Sequence, residues 1–195
     1  MTGAEAMLFR HRLAAHGYSV RQHHYHSASA TAATVLAGLR DEVLRGDGPV
    51  HLVGHSLGGL VILRLLEAHP ELPVGRIVLL GSPVNGSRAA TGLARIVGSD
   101  WMFGPMASGE LLDGTPRVWR HPAPLGVVAG TQSFGLGRLV AGLDGPNDGT
   151  VAVAETHLAG ASDHLELPVS HVGFMLSQRV VDATARFLGA GSFSD

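Results

Sequence analysis

Short apolar runs and longer stretches of helical periodicity take turns along the chain, the pattern of a parallel sheet covered by helices on both faces. Thr2, Gly3, Ala4 and Glu5 read as a capping box, in which the Thr2 hydroxyl caps an early amide and Glu5 reaches back. A helix should follow to about Ala15 and close at Gly17. Tyr18–His26, "YSVRQHHYH", reads as a strand and its exit. A second helix is expected from about Ala28 to Arg45, with Leu36, Leu39 and Val43 on one face and Gly46 at its end. Val50–Gly54 is a short apolar strand, and Leu57–His69 a helix stopped by Pro70. Arg76–Pro83 and Pro124–Thr131 are further buried strands. Between them lie a short helix at Arg88–Val97 and an irregular stretch from Asp100 to Pro122. Asp163–His171 is the last strand. A final helix runs from about Val172 to Leu188, with Leu176, Val180, Ala183 and Phe187 at core-facing spacing. No repeat or linker divides the chain, and 195 residues suit a single domain over 1–195.

Composition narrows the class by exclusion. Charged residues make up 15% of the chain and the formal charge is -2, so much of the surface is neutral or apolar. With no cysteine, disulfides and thiolate metal sites are ruled out. All 14 basic residues are arginine, yet no basic stripe points to nucleic acid. No apolar run is long enough for an integral membrane segment, and the N-terminus lacks a signal-peptide pattern. A cytoplasmic setting is therefore expected.

The strand at Val50 runs into Gly54-His55-Ser56-Leu57-Gly58 and then directly into a helix. Five residues of the form G-x-S-x-G are weak evidence by themselves. Their context is stronger, because a sharp strand-to-helix turn strains its central residue and needs small neighbours two positions either side. Gly54 and Gly58 fill those places. The turn pushes the Ser56 hydroxyl above the carboxyl edge of the sheet, where the Leu57 amide and the helix dipole can stabilise an oxyanion.

A serine hydroxyl needs a base, and the base needs an orienting acid. His171 ends the last strand and precedes the final helix, where the base should sit. For the acid, Asp148 lies in "GPNDGTV", the loop after the Pro124–Thr131 strand. Asp144 shares that loop, and Asp163 begins the final strand at the end away from the serine. Asn147, Asp148 and Gly149 also read as an Asx-type turn, which is compatible with catalysis.

Gly54-His55-Ser56-Leu57-Gly58-Gly59, Asn147-Asp148-Gly149-Thr150-Val151 and Ser170-His171-Val172-Gly173 together resemble the α/β-hydrolase superfamily, and most closely its small bacterial lipase and esterase branch. The likeness covers most of the chain. It implies a single α/β domain with a mostly parallel sheet, a Ser56–His171–Asp148 triad with Leu57 as oxyanion donor, an acyl-ester substrate, and no metal or organic cofactor.

One departure stands out. The family's second oxyanion amide comes from the loop after a strand that precedes the first helix, and neither that strand nor its His-Gly pair is present here. The expectation is of an N-terminally truncated fold, in which Met1 is an internal methionine of a longer protein. The alternative is that Tyr18–His24 closes the gap by pairing directly with Val50–Gly54.

Other features carry less. In "HHYH" only His24 and His26 share a strand face, with no carboxylate nearby in sequence, so a polar strand end suits it better than a metal site. Trp101, Met102 and Phe103 open an apolar stretch, within a segment spanning 98–122, that reads either as a lid contacting substrate or as ordinary connecting chain. Three functions fit: an ester hydrolase, a thioesterase or acyltransferase with the same triad, and a catalytically silent fold that binds a ligand.

Overall fold

The computed structural model describes residues 3–24, 31–86, 117–133 and 145–194. In chain order they form α1 (Gly3–Ala14), α2 (Ala32–Leu44), β1 (Val50–His55), α3 (Leu57–Ala68), β2 (Val74–Leu80), β3 (Leu125–Gly130), a short helix α4 (Val153–Thr156), β4 (Asp163–Leu167), a 3₁₀ turn (Gly173–Met175) and α5 (Gln178–Ala190). The four strands make one sheet in the order β1-β2-β3-β4, parallel throughout.

Each face of the sheet is read by alternate residues of the central strands, as a pleat of period two requires. Val78, Leu80 and Val128 point to one side, where Phe9 and Leu13 of α1 and Val180, Val181 and Phe187 of α5 cover them. Ile77, Leu79, Leu125 and Val127 point to the other, against Val43 of α2 and Leu60, Leu63 and Leu66 of α3. Both faces are therefore buried, which is why β2 and β3 are near-continuous apolar runs. All of β3 is buried.

Several boundaries differ from the sequence reading, each for a physical reason. The last strand ends at Leu167 rather than reaching His171, because Pro168 has no amide to continue the ladder. The final helix does not run unbroken from Val172; a 3₁₀ turn comes first, and α5 starts only after Ser177. α2 begins later than Ala28, at Ala32, where the Thr31 hydroxyl accepts the Thr34 amide. Tyr18–His24 forms no strand, and its direct pairing with Val50–Gly54 does not occur: among the described residues β1 pairs with β2 alone. That segment is held by side chains instead. The Tyr18 hydroxyl donates to the Ala185 carbonyl at 3.2 Å, and its ring meets His51 edge-on at 6.1 Å. Thr2, His26, the Arg88–Val97 helix and the 98–116 part of the apolar segment lie outside the described residues. Among those described, no helix is long and apolar enough to cross a membrane.

Candidate active site

Three of the expected side chains converge at the carboxyl ends of the strands, where open parallel sheets place their ligands. Ser56 follows β1, Asp148 lies in the loop beyond β3, and His171 follows β4. His171 Nε2 is 3.0 Å from Ser56 Oγ, and His171 Nδ1 is 2.7 Å from Asp148 Oδ2. A carboxylate can only accept, so Nδ1 carries the ring proton and Nε2 is left to accept from the Ser56 hydroxyl. The Asp148 side chain is 1% exposed and that of His171 16%. The carboxylate end of this chain of hydrogen bonds is thus dry, while His171 and Ser56 are only partly buried.

Ser56 owes its place to the turn. Its φ of 54° and ψ of −124° make it the one non-glycine residue with positive φ among those described. Such a conformation costs on the order of 1–3 kcal/mol and persists only where the surroundings over-determine it. Here the Ser56 amide donates to the Leu80 carbonyl at 2.9 Å, tying the turn to β2. A Cβ on Gly54 would stand 2.6 Å from the Gly59 nitrogen and 2.7 Å from the Gly58 carbonyl carbon, so strand and helix meet there through bare backbone. Gly58 plays no such part: a Cβ on it would meet nothing within 4 Å. The second close approach is at Gly59, against the Ser82 side chain. The spacing rule thus picked Gly58 where the packing uses its neighbour. Leu57 opens α3, and the first amides of a helix have no partner within it.

The Asp148 loop is built to present its carboxylate. Oδ1 accepts the Thr150 and Val151 amides at 2.8 and 2.7 Å, which leaves Oδ2 for the imidazole. Asn147 Oδ1 accepts the Gly149 amide at 3.0 Å, so the Asx turn coexists with this arrangement. Main chain joins main chain as well: the His171 amide donates to the Asp148 carbonyl at 2.9 Å. Of the other acid candidates, Asp163 is occupied elsewhere, its Oδ2 accepting the Phe193 amide at 2.8 Å. Asp144 lies outside the described residues, as do Trp101, Met102 and Phe103.

Two site neighbours carried no signal that sequence reasoning used. Phe174 is fully buried and meets the His171 ring edge-on at 6.5 Å, forming part of the floor. His55 is partly buried with its ring 4.8 Å from that of His171. Loss of hydration, followed by the neighbouring His171, pushes the His55 pKa down to about 3. A separate cavity of about 400 Å³, lined by Asn85, Arg117, His157 and His164 among others, has none of the three converging residues in its wall. Within its wall Asn85 Nδ2 donates to the His157 carbonyl, while His164 Nε2 meets Thr156 Oγ1 and Asp163 Oδ2 accepts the Phe193 amide, both partners lying outside the wall.

The family model for the alpha/beta hydrolase family matches residues 4–190, and the chain belongs to that family. Among solved structures it is similar to the mature lipase BlEst2 of Bacillus licheniformis, at 22% identity and a TM-score of 0.61, over 82% of this chain and 72% of the lipase. A pyrethroid hydrolase from Sphingobium faniae shares 18% identity over 96% of this chain and 92% of its own, with a TM-score of 0.57. Phospholipase PlaB of Legionella pneumophila shares 15% identity, with a TM-score of 0.67, over 97% of this chain and 55% of the phospholipase. A metagenomic carboxyl esterase is similar at 21% identity and a TM-score of 0.58, and this chain spans 51% of its length.

Proposed function

We propose that this hydrolase cleaves carboxylic esters through an acyl-enzyme on Ser56. The observation that carries the reading is the unbroken run of hydrogen bonds from Ser56 Oγ through both nitrogens of His171 to Asp148. His171 Nε2 takes the hydroxyl proton as Ser56 Oγ attacks the acyl carbonyl carbon. Negative charge gathers on the carbonyl oxygen, where the Leu57 amide and the amino end of α3 oppose it. The imidazolium then gives its proton to the leaving alkoxide as the carbon–oxygen bond breaks. Water repeats the sequence on the acyl-enzyme and releases the acid. Asp148 keeps Nδ1 protonated throughout and stabilises the imidazolium without taking its proton.

Neighbours named as a lipase, a carboxyl esterase and a pyrethroid hydrolase support an ester as the substrate. The sparse charge of the chain and the apolar Trp101, Met102 and Phe103 favour a neutral acyl group. p-Nitrophenyl esters of rising acyl length test this. Hydrolysis that disappears in Ser56→Ala is expected, and silence across the whole panel overturns the proposal.

A further inference from the structure

His171 carries four hydrogen-bonding groups, and each has one partner at the site. The ring nitrogens face Asp148 and Ser56, and the amide donates to the Asp148 carbonyl. The fourth is the His171 carbonyl, which lies 3.0 Å from His55 Nε2. In an ordinary helix start that carbonyl would take the amide four residues on. Here the Met175 amide donates to Val172 instead, because the chain winds as a 3₁₀ turn. Pro168 has already ended the β4 ladder. The carbonyl is thus reached by neither sheet nor helix, and a side chain from another part of the chain meets it.

That side chain belongs to the residue next to the nucleophile. We propose that His55 is a positioning residue for the His171 loop: its Nε2–H donates to the His171 carbonyl while its ring lies beside the His171 imidazole, holding Nε2 of His171 toward Ser56. The inference rests on the Ser56–His171–Asp148 reading above. Residues 55 and 56 then grip residue 171 at two points, one on the main chain and one on the ring. The Phe174 ring, 5.7 Å from His55, backs the pair. A carbonyl only accepts, so the bond requires the tautomer with hydrogen on Nε2. It also requires a neutral ring if His55 is not to repel the imidazolium that forms in the reaction, and the depressed basicity of His55 meets that need.

Two variants of equal length separate the bond from the packing. His55→Gln places an amide N–H near the original Nε2, whereas His55→Met fills the space without a donor. His55→Met should lower kcat on a p-nitrophenyl ester on the order of ten- to a hundredfold, as a small misplacement of a reacting group does. Its KM should stay within about twofold, since binding surface is untouched. His55→Gln should recover most of the loss. Equal kcat for the two variants overturns the inference, whether both are active or both impaired. Long-range ¹H–¹⁵N correlation on the native protein gives a test that needs no variant to fold. The Nε2–H tautomer of His55 supports the bond, and the Nδ1–H tautomer overturns it. Native protein that neither turns over esters nor takes a fluorophosphonate at Ser56 defeats the triad reading, and this inference falls with it. Normal native activity with indistinguishable variants defeats the His55 role alone.

Discussion

Replacing Ser56 by glycine should make the protein more stable than replacing it by alanine, the reverse of the usual order. At an ordinary position glycine costs about 0.5–1 kcal/mol relative to alanine, through the greater freedom of the unfolded chain. At φ 54°, ψ −124° the alanine keeps the Cβ that makes this backbone unfavourable, at roughly 1–3 kcal/mol, and glycine is free of it. The difference leaves glycine ahead by about 1 kcal/mol. For a chain of 195 residues that corresponds to about 2–4 °C in Tm. Both variants lose the hydroxyl and its 3.0 Å contact with His171, so that loss cancels in the comparison. Urea unfolding of the pair, with thermal melts alongside, measures the difference, provided the slopes with denaturant agree. Alanine equal to or more stable than glycine would show that the turn holds no strain at Ser56, and the argument for a forced nucleophile position would fail.

Gly54→Ala drives a methyl into the backbone of Gly58 and Gly59, so a loss of about 1–3 kcal/mol in urea unfolding is expected. Gly58→Ala meets open space and gains helix propensity, so it should be stabilising by up to about 1 kcal/mol; a loss there contradicts the packing described. Asp148→Asn keeps the shape of the loop but spoils the imidazole tautomer, and ester turnover should drop on the order of 10⁴-fold. A fall of less than tenfold assigns the orienting role elsewhere. His55 adds acid sensitivity. Its folded pKa of about 3 lies below the ordinary 6.5, so on acidification below about pH 6.5 the unfolded chain takes up a proton that the folded one refuses. Stability therefore falls with pH through that window, by about 2 kcal/mol at pH 5 from His55 alone. His51 and His164, also lowered by burial, push the same way. Urea midpoints at pH 7 and pH 5 should show the drop, and His55→Gln should remove much of it; equal native midpoints contradict it.

The parts of the fold legible from sequence are those where pattern and partner come together. β1, its turn and α3 form one contiguous unit, so the apolar run, the glycines and the helix period all speak for it. The same holds for β2 and β3, whose burial on both faces leaves uninterrupted apolar sequence. Tyr18–His24 shows the opposite case. Alternation at that stretch reads as a strand, but a strand also needs a neighbour to bond, and Tyr18 lies against α5 and His51 through its side chain. The exchange of Gly58 for Gly59 has a similar origin: a motif fixes spacing, whereas the side chain that crowds a glycine, here that of Ser82, comes from a distant strand end. His55 occupies the second place of the G-x-S-x-G pattern, a place that the pattern leaves open to any residue. Nothing local marks it as a partner for a carbonyl 116 positions away. His171 is legible because it stands a few residues past the last strand, whereas Asp148, 18 positions beyond β3, is legible only through its loop motif and its place in the order of the chain.

The most direct test of the account is the mass of the intact protein after treatment with a fluorophosphonate, followed by mapping of the modified peptide. A hydroxyl activated by His171 should take up one phosphonyl group, on Ser56, and Ser56→Ala should take up none. Native protein that stays unmodified, or that carries the group on another residue, would contradict the claim that Ser56 is the nucleophile.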